Sequence, residues 1–141
     1  MVDIISNCFC SFDWVYINRY PTKVEPEKEP DQVRCSHLLI KHTESNKPIS
    51  ERTNKEITLS VHDALEEIKS WEGNIGSDDD FALAARQRSD CSSFKDGGDI
   101  GYISRGILEK PFEDECFALE VGEMSDVVET SLGFHLILRT A

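Results

Sequence analysis

The chain has 141 residues, 39% of them apolar and 9% aromatic, which is enough for one domain with its own core. A formal net charge of −12 argues against nucleic acid as the main partner, because phosphate backbones demand basic surface. No apolar run approaches the ~18 residues of a membrane span, and the five cysteines lack framework spacing, so reduced thiols in a cytoplasmic or nuclear protein are expected.

Residues 1–17 are mildly apolar but carry Asp3 and Asp13 and no basic start, so no secretory signal is expected. Cys8 and Cys10 read as plain thiols rather than as acylation or metal sites. Trp14 to Tyr20 alternates in a strand-like way, and residues 21–32 hold three of the five prolines among many charges, as an extended linker does. Residues 1–32 are therefore read as an arm and linker, and 33–141 as the folded domain. Period-two alternation over 33–42 predicts a strand with Cys35, His37, Leu39 and Lys41 on one face. Residues 43–56 are polar and include Pro48, which predicts a long mobile loop of functional use. Ser60 with Asp63 caps a helix that carries Val61, Ala64, Leu65, Ile68 and Trp71, ended by Gly73 and Gly76. Ser77 with Asp80 opens a second, with Phe81, Ala84 and Ala85 inward, up to about Arg88. A short strand over 100–103, a helix over 111–117 led by Pro111, and closing strands over 126–129 and 134–140 complete the set. The fold class is α+β: a four-stranded, mostly antiparallel sheet surrounded by about four helices.

The run Asp90-Cys91-Ser92-Ser93-Phe94-Lys95-Asp96-Gly97-Gly98-Asp99-Ile100-Gly101 joins a nucleophilic sulfur, two hydroxyls and a glycine-rich turn. Alone it is an ordinary loop, since Ser, Asp and Gly are what tight turns use. Cys91 with His37 or His135 has the residue types of a hydrolase nucleophile and base, but no orienting group or oxyanion motif accompanies them. Cys35, His37, Cys91 and His135 lack the paired ligand spacing of a zinc site, so neither a metal nor another cofactor is expected.

The company of this run decides its meaning. Residues 33–41, Ser104-Arg105-Gly106, Lys110-Pro111-Phe112-Glu113-Asp114, Phe117-Ala118-Leu119 with Gly122-Glu123-Met124-Ser125, and Gly133-Phe134-His135 follow in order. Over residues 33–140 that set resembles the parvulin family of peptidyl-prolyl cis/trans isomerases, most closely its phospho-Ser/Thr-Pro-directed branch. The resemblance implies a parvulin/FKBP-like fold and a cofactor-free monomeric enzyme whose partners are phosphorylated Ser/Thr-Pro segments of client proteins. A module that binds such segments without turning them is the alternative, and the retained His37, Cys91 and His135 argue against it.

Carried over residue by residue, Ile100, Leu108 and Phe112 match the proline slot, and His37, Cys91 and His135 the polar centre. Ser92, Ser93 and Thr130 match hydroxyls that line the family site, with Thr130 steadying the histidines. Lys41 and Lys47 match two of three phosphate-holding cations; Asn46 stands where relatives have Arg, and Arg52 is close enough in sequence to swing in. Two lysines keep the charge but lose the planar fork that grips phosphate in a bidentate way. Glu109 stands where relatives commonly carry Gln, adding a charge at the pocket rim, and Leu132 replaces a Ser. Trp14 to Tyr20 faintly resembles the middle of a WW module whose other strands are missing.

Overall fold

The structure is a computed structural model that describes residues 30–141. The expected arm, its cysteines and the WW-like fragment lie outside the described residues, apart from the last three residues of the linker. A nine-residue stretch without Gly or Pro, Gln32–Ile40, forms β1. It is buried from Cys35 to Ile40, on both faces, because it is a central strand. β1 pairs antiparallel with β2 (Asp99–Ser104) and with β4 (Gly133–Arg139), and β4 pairs antiparallel with β3 (Val128–Thr130). The order is β2-β1-β4-β3, so the sheet is antiparallel throughout.

Period-two alternation sorts the core onto two faces. Val33, Cys35 and Ile137 pack under the helix α3 (Lys110–Ala118) with Phe112, Cys116 and Phe117. Leu38, Ile40, Leu136 and Leu138 pack under α1 (Val61–Asn74) and α2 (Asp78–Arg88), against Ala64, Ile68, Phe81 and Ala84. The caps are those read from the sequence: Ser60 Oγ accepts the Asp63 N–H, and Ser77 Oγ the Asp80 N–H. Among the described residues there are three α-helices rather than about four, with a 3-10 turn over residues 92–96. None of the described helices is long and apolar enough to cross a membrane.

Two glycines let the backbone close in around β1. A Cβ on Gly98 (φ +87°) would stand 2.3 Å from the His37 carbonyl oxygen, and one on Gly133 (φ +138°) 2.4 Å from that of Ile40. Gly98 in turn accepts the His37 N–H at 2.9 Å. The segment 43–56, expected to be mobile, is held at several points. Thr43 N–H donates to Leu59 O, Asn46 N–H to Ser131 O and Glu51 N–H to Asp90 O, and an isolated bridge joins Ile49 to Glu56. Buried polar groups demand partners, and these lie far along the chain, where no local pattern shows them.

Candidate active site

β1 and β4 place His37 opposite Ile137 and Leu39 opposite His135, which makes the two imidazoles diagonal neighbours on one face. Their Nδ1 atoms are 3.0 Å apart and the rings stack at 5.2 Å, 19° from parallel. Burial, reinforced by charge on His37, holds His135 well below the usual imidazole range, so His135 is neutral at physiological pH. Thr130 Oγ1 lies 2.7 Å from His135 Nε2 and accepts the Leu132 N–H. With His135 neutral, the tautomer set that leaves His37 a donor at Nε2 has Thr130 donating Oγ1–H to His135 Nε2 and His135 donating Nδ1–H to His37 Nδ1.

Cys91 flanks the 3-10 turn and is half-buried. Burial pushes its thiol up, but a hydrogen bond and charge from His37, with the Ser93 hydroxyl and N–H, outweigh that and bring it down to about 6. His37 Nε2 is buried with no hydrogen-bond partner among the described residues, so it is the nitrogen left to serve the sulfur. At pH 7 a thiol titrating near 6 is about ten to one thiolate, so the centre is a sulfur anion beside a donor.

Above this centre opens a cavity of about 350 Å³. Ile100, Leu108 and Phe112 form apolar wall; His37, Cys91, His135 and Thr130 supply the polar atoms; Glu109, Leu132, Tyr102 and Ile107 stand at the edges. Phe112 meets both imidazoles edge-on, at 5.4 Å from His37 and 5.0 Å from His135, so one ring both lines the slot and keeps water from the histidines.

Residues 37–141 match the rotamase family, described as a PPIC-type PPIASE domain. The chain belongs to that family. It is 46% identical over 113 residues to peptidyl-prolyl cis-trans isomerase ESS1 of Saccharomyces cerevisiae, covering 78% of this chain and 66% of that one. It is 44% identical over 115 residues to peptidyl-prolyl cis-trans isomerase Pin1 of Arabidopsis thaliana, covering 79% and 97%. Among solved structures, peptidyl-prolyl isomerase ESS1 from Candida albicans superposes with a TM-score of 0.73 at 37% identity, over 81% of this chain and 65% of that one. The chain is a parvulin-type prolyl isomerase of the Pin1/ESS1 type, with the fold that the sequence resemblance implied.

Nine of the residues singled out in this isomerase's sequence meet at the cavity: His37, Cys91, Ile100, Leu108, Glu109, Phe112, Thr130, Leu132 and His135. Ser93 is half-buried and Ser92 exposed in the 3-10 turn that follows Cys91, and neither lines the cavity. Lys41 is 2% exposed; its ammonium donates to the carbonyls of Lys47 and Ile49, at 3.1 and 2.8 Å. Lys47 is exposed on the same loop. Arg52 departs from expectation: it lines a separate cleft with Arg88 and Asp90 rather than joining the lysines. Sequence reading missed Asp90 and Glu113 as site-builders. Buried Asp90 accepts the Lys41 N–H, the Ser50 hydroxyl and the Arg88 guanidinium. It thereby ties the lysine loop to the residue preceding Cys91. Glu113 accepts the N–H groups of Gly106, Ile107 and Leu108, and those bonds hold its carboxyl below the usual range. The only signal in the sequence was an acid next to each motif residue, which solvent-facing acids also give.

Proposed function

We propose that this isomerase turns X-Pro bonds that follow a phosphorylated Ser or Thr. Rotation about the bond must cross a barrier of about 18–20 kcal/mol set by amide resonance. No bond is made or broken, so the site needs a slot for the ring, little water, and polar groups that suit the twisted amide better than the planar one. Ile100, Leu108 and Phe112 take the ring. The Cys91 thiolate, held by His37 and Ser93, opposes the negative charge that resonance places on the carbonyl oxygen. The planar amide carries more of that charge than the twisted one, so the sulfur raises the ground state more than the transition state. Thr130 and His135 keep His37 in the tautomer that serves the sulfur, and Ser92 sits at the outer edge as a contact for the client backbone.

One observation carries the phosphate preference. The Lys41 ammonium is buried, bonded only to carbonyls, and in no ion pair among the described residues. A buried charge is costly until it meets an opposite charge, and a client phosphate supplies that charge through the donor the two carbonyls leave free. Lys47 adds a second cation. The neighbouring Asn46 N–H donates to Ser131 O at 2.8 Å, which joins this loop to the Thr130–Leu132 end of the cavity. The net charge of −12 does not oppose this, because charges beyond about 8 Å are largely screened at physiological salt. The five cysteines, an odd number without framework spacing, support a reducing compartment, cytoplasm or nucleus, and the reading is of a monomer.

The test is cis/trans exchange by NMR on pSer-Pro and Ser-Pro versions of one peptide. Exchange of the phosphorylated form should be faster by at least about tenfold, the scale of one charge-assisted contact. Lys41→Met with Lys47→Ala, which keeps the buried volume, should bring the ratio near one. Equal exchange of both peptides by the unaltered protein would sink the phosphate reading and leave the isomerase.

A further inference from the structure

Among the described residues seven large hydrophobic side chains are exposed, and four of them, Tyr102, Ile107, Leu108 and Leu132, line the one cavity that holds the isomerase centre. Single exposed apolar residues need no explanation, but a cluster beside a binding site does. Tyr102 is 60% and Ile107 66% exposed. Both are held in place. The Arg34 guanidinium sits 5.8 Å from the Tyr102 ring centroid and pairs with Asp99, while the Ile107 N–H donates to Glu113 at 2.7 Å. Apolar surface kept exposed on a pre-ordered frame is what a binding subsite looks like, since little ordering cost remains to be met on binding.

Size and direction identify the occupant. Five ring atoms at a water's share of ~30 Å³ each come to about 150 Å³, so a cavity of about 350 Å³ has room for a second side chain. Tyr102 lies opposite Arg34, near the start of β1, whereas Lys41 follows the end of that strand. The phosphate end and the Tyr102–Ile107 end are therefore opposite ends of the site. A client whose phosphoserine is held at the lysine loop and whose proline fills the slot runs on towards Tyr102 and Ile107. We infer that this enzyme has an apolar subsite, formed by Tyr102 and Ile107, for a bulky aliphatic or aromatic client side chain one or two residues after the proline. The inference rests on the phosphate reading for its direction.

The test compares exchange rates for four peptides: pSer-Pro-Leu, pSer-Pro-Asn, Ser-Pro-Leu and Ser-Pro-Asn in one flanking sequence. The Leu peptides should exceed the Asn peptides in kcat/KM by about five- to tenfold, the range of a modest apolar pocket contact. In Tyr102→Ala with Ile107→Gln, whose side chains are too exposed to carry the fold, that ratio should drop below about twofold, whatever happens to the absolute rate. A Leu/Asn ratio near one in the unaltered protein, or one that survives the double substitution, would overturn the subsite. Moving the Leu to the position before the phosphoserine should bring no gain, and a gain there instead would overturn its direction. Failure of the phosphate reading would show separately, as a pSer/Ser ratio of one with the Leu/Asn ratio intact.

Discussion

Cys91 is the side chain whose state the rest of the centre sets. Its thiol is pushed up by burial and drawn down further by His37 and Ser93, to about 6, so the fraction present as thiolate changes about tenfold between pH 5 and pH 7. If the thiolate is the working form, kcat/KM rises over that interval and levels off above it. A phosphopeptide would confuse the measurement, because its own second ionisation also falls near pH 6. A Glu-Pro peptide avoids this, as glutamate is ionised throughout. With that substrate the rate should rise about tenfold from pH 5 to pH 7, and Cys91→Ser should be slower and flat over the same range. An identical rise in Cys91→Ser would assign the titration to another group. The same shift makes a claim on stability. A thiol lowered by folding favours the folded state more as pH rises from about 6 towards 9, and that increment vanishes below about 6. His37, Cys91 and His135 were legible because their order along the chain matched a known pattern. Asp90 was not, since its partners Ser50 and Lys41 stand 40 and 49 residues away.

At the scale of elements, the loop between β2 and α3 shows how one acid can shape a binding wall. Glu113 stands in the first turn of α3, where the helix dipole favours a carboxylate. It reaches back to three successive N–H groups at 3.0, 2.7 and 2.6 Å. Those bonds fix the backbone that presents Leu108 to the slot. Glu113→Gln keeps the size but offers one acceptor oxygen and turns two donors on a nest of donors. KM for a proline peptide should rise about three- to tenfold with kcat changed less, and the melting temperature should fall. An unchanged KM would mean that the loop keeps its shape without the carboxylate. Elements built from local signals were the legible ones: α1 and α2 start at the capping serines read from the sequence, because a cap is a contact three residues long. The closing strand β3 runs over Val128–Thr130 rather than 126–129, since three residues carry too little periodicity to place. The anchors of the lysine loop were not legible for the opposite reason: its polarity looked solvated, while its backbone bonds to Leu59, Asp90 and Ser131.

For the whole molecule, what matters is whether the folded unit is complete without the chain that precedes it. Both faces of the sheet are covered by side chains between Val33 and Leu138, with α3 on one side and α1 and α2 on the other. The family match begins at residue 37, and the Arabidopsis relative is spanned over 97% of its length by 79% of this chain, so a protein of about the domain's size carries the whole pattern. A domain of this length buries enough apolar surface to fold alone. A chain beginning at Pro30 should therefore melt within about 3 °C of the full chain, which for ~110 residues corresponds to less than about 1 kcal/mol. It should also turn over Ser-Pro and pSer-Pro peptides within about twofold. A melting temperature lower by 10 °C or more would show that the first 29 residues complete the core. Intact melting with a changed pSer/Ser ratio would place them instead beside the lysine loop, where a segment holding Glu25-Pro26 and Glu29-Pro30 has the charge to compete with a client for Lys41 and Lys47.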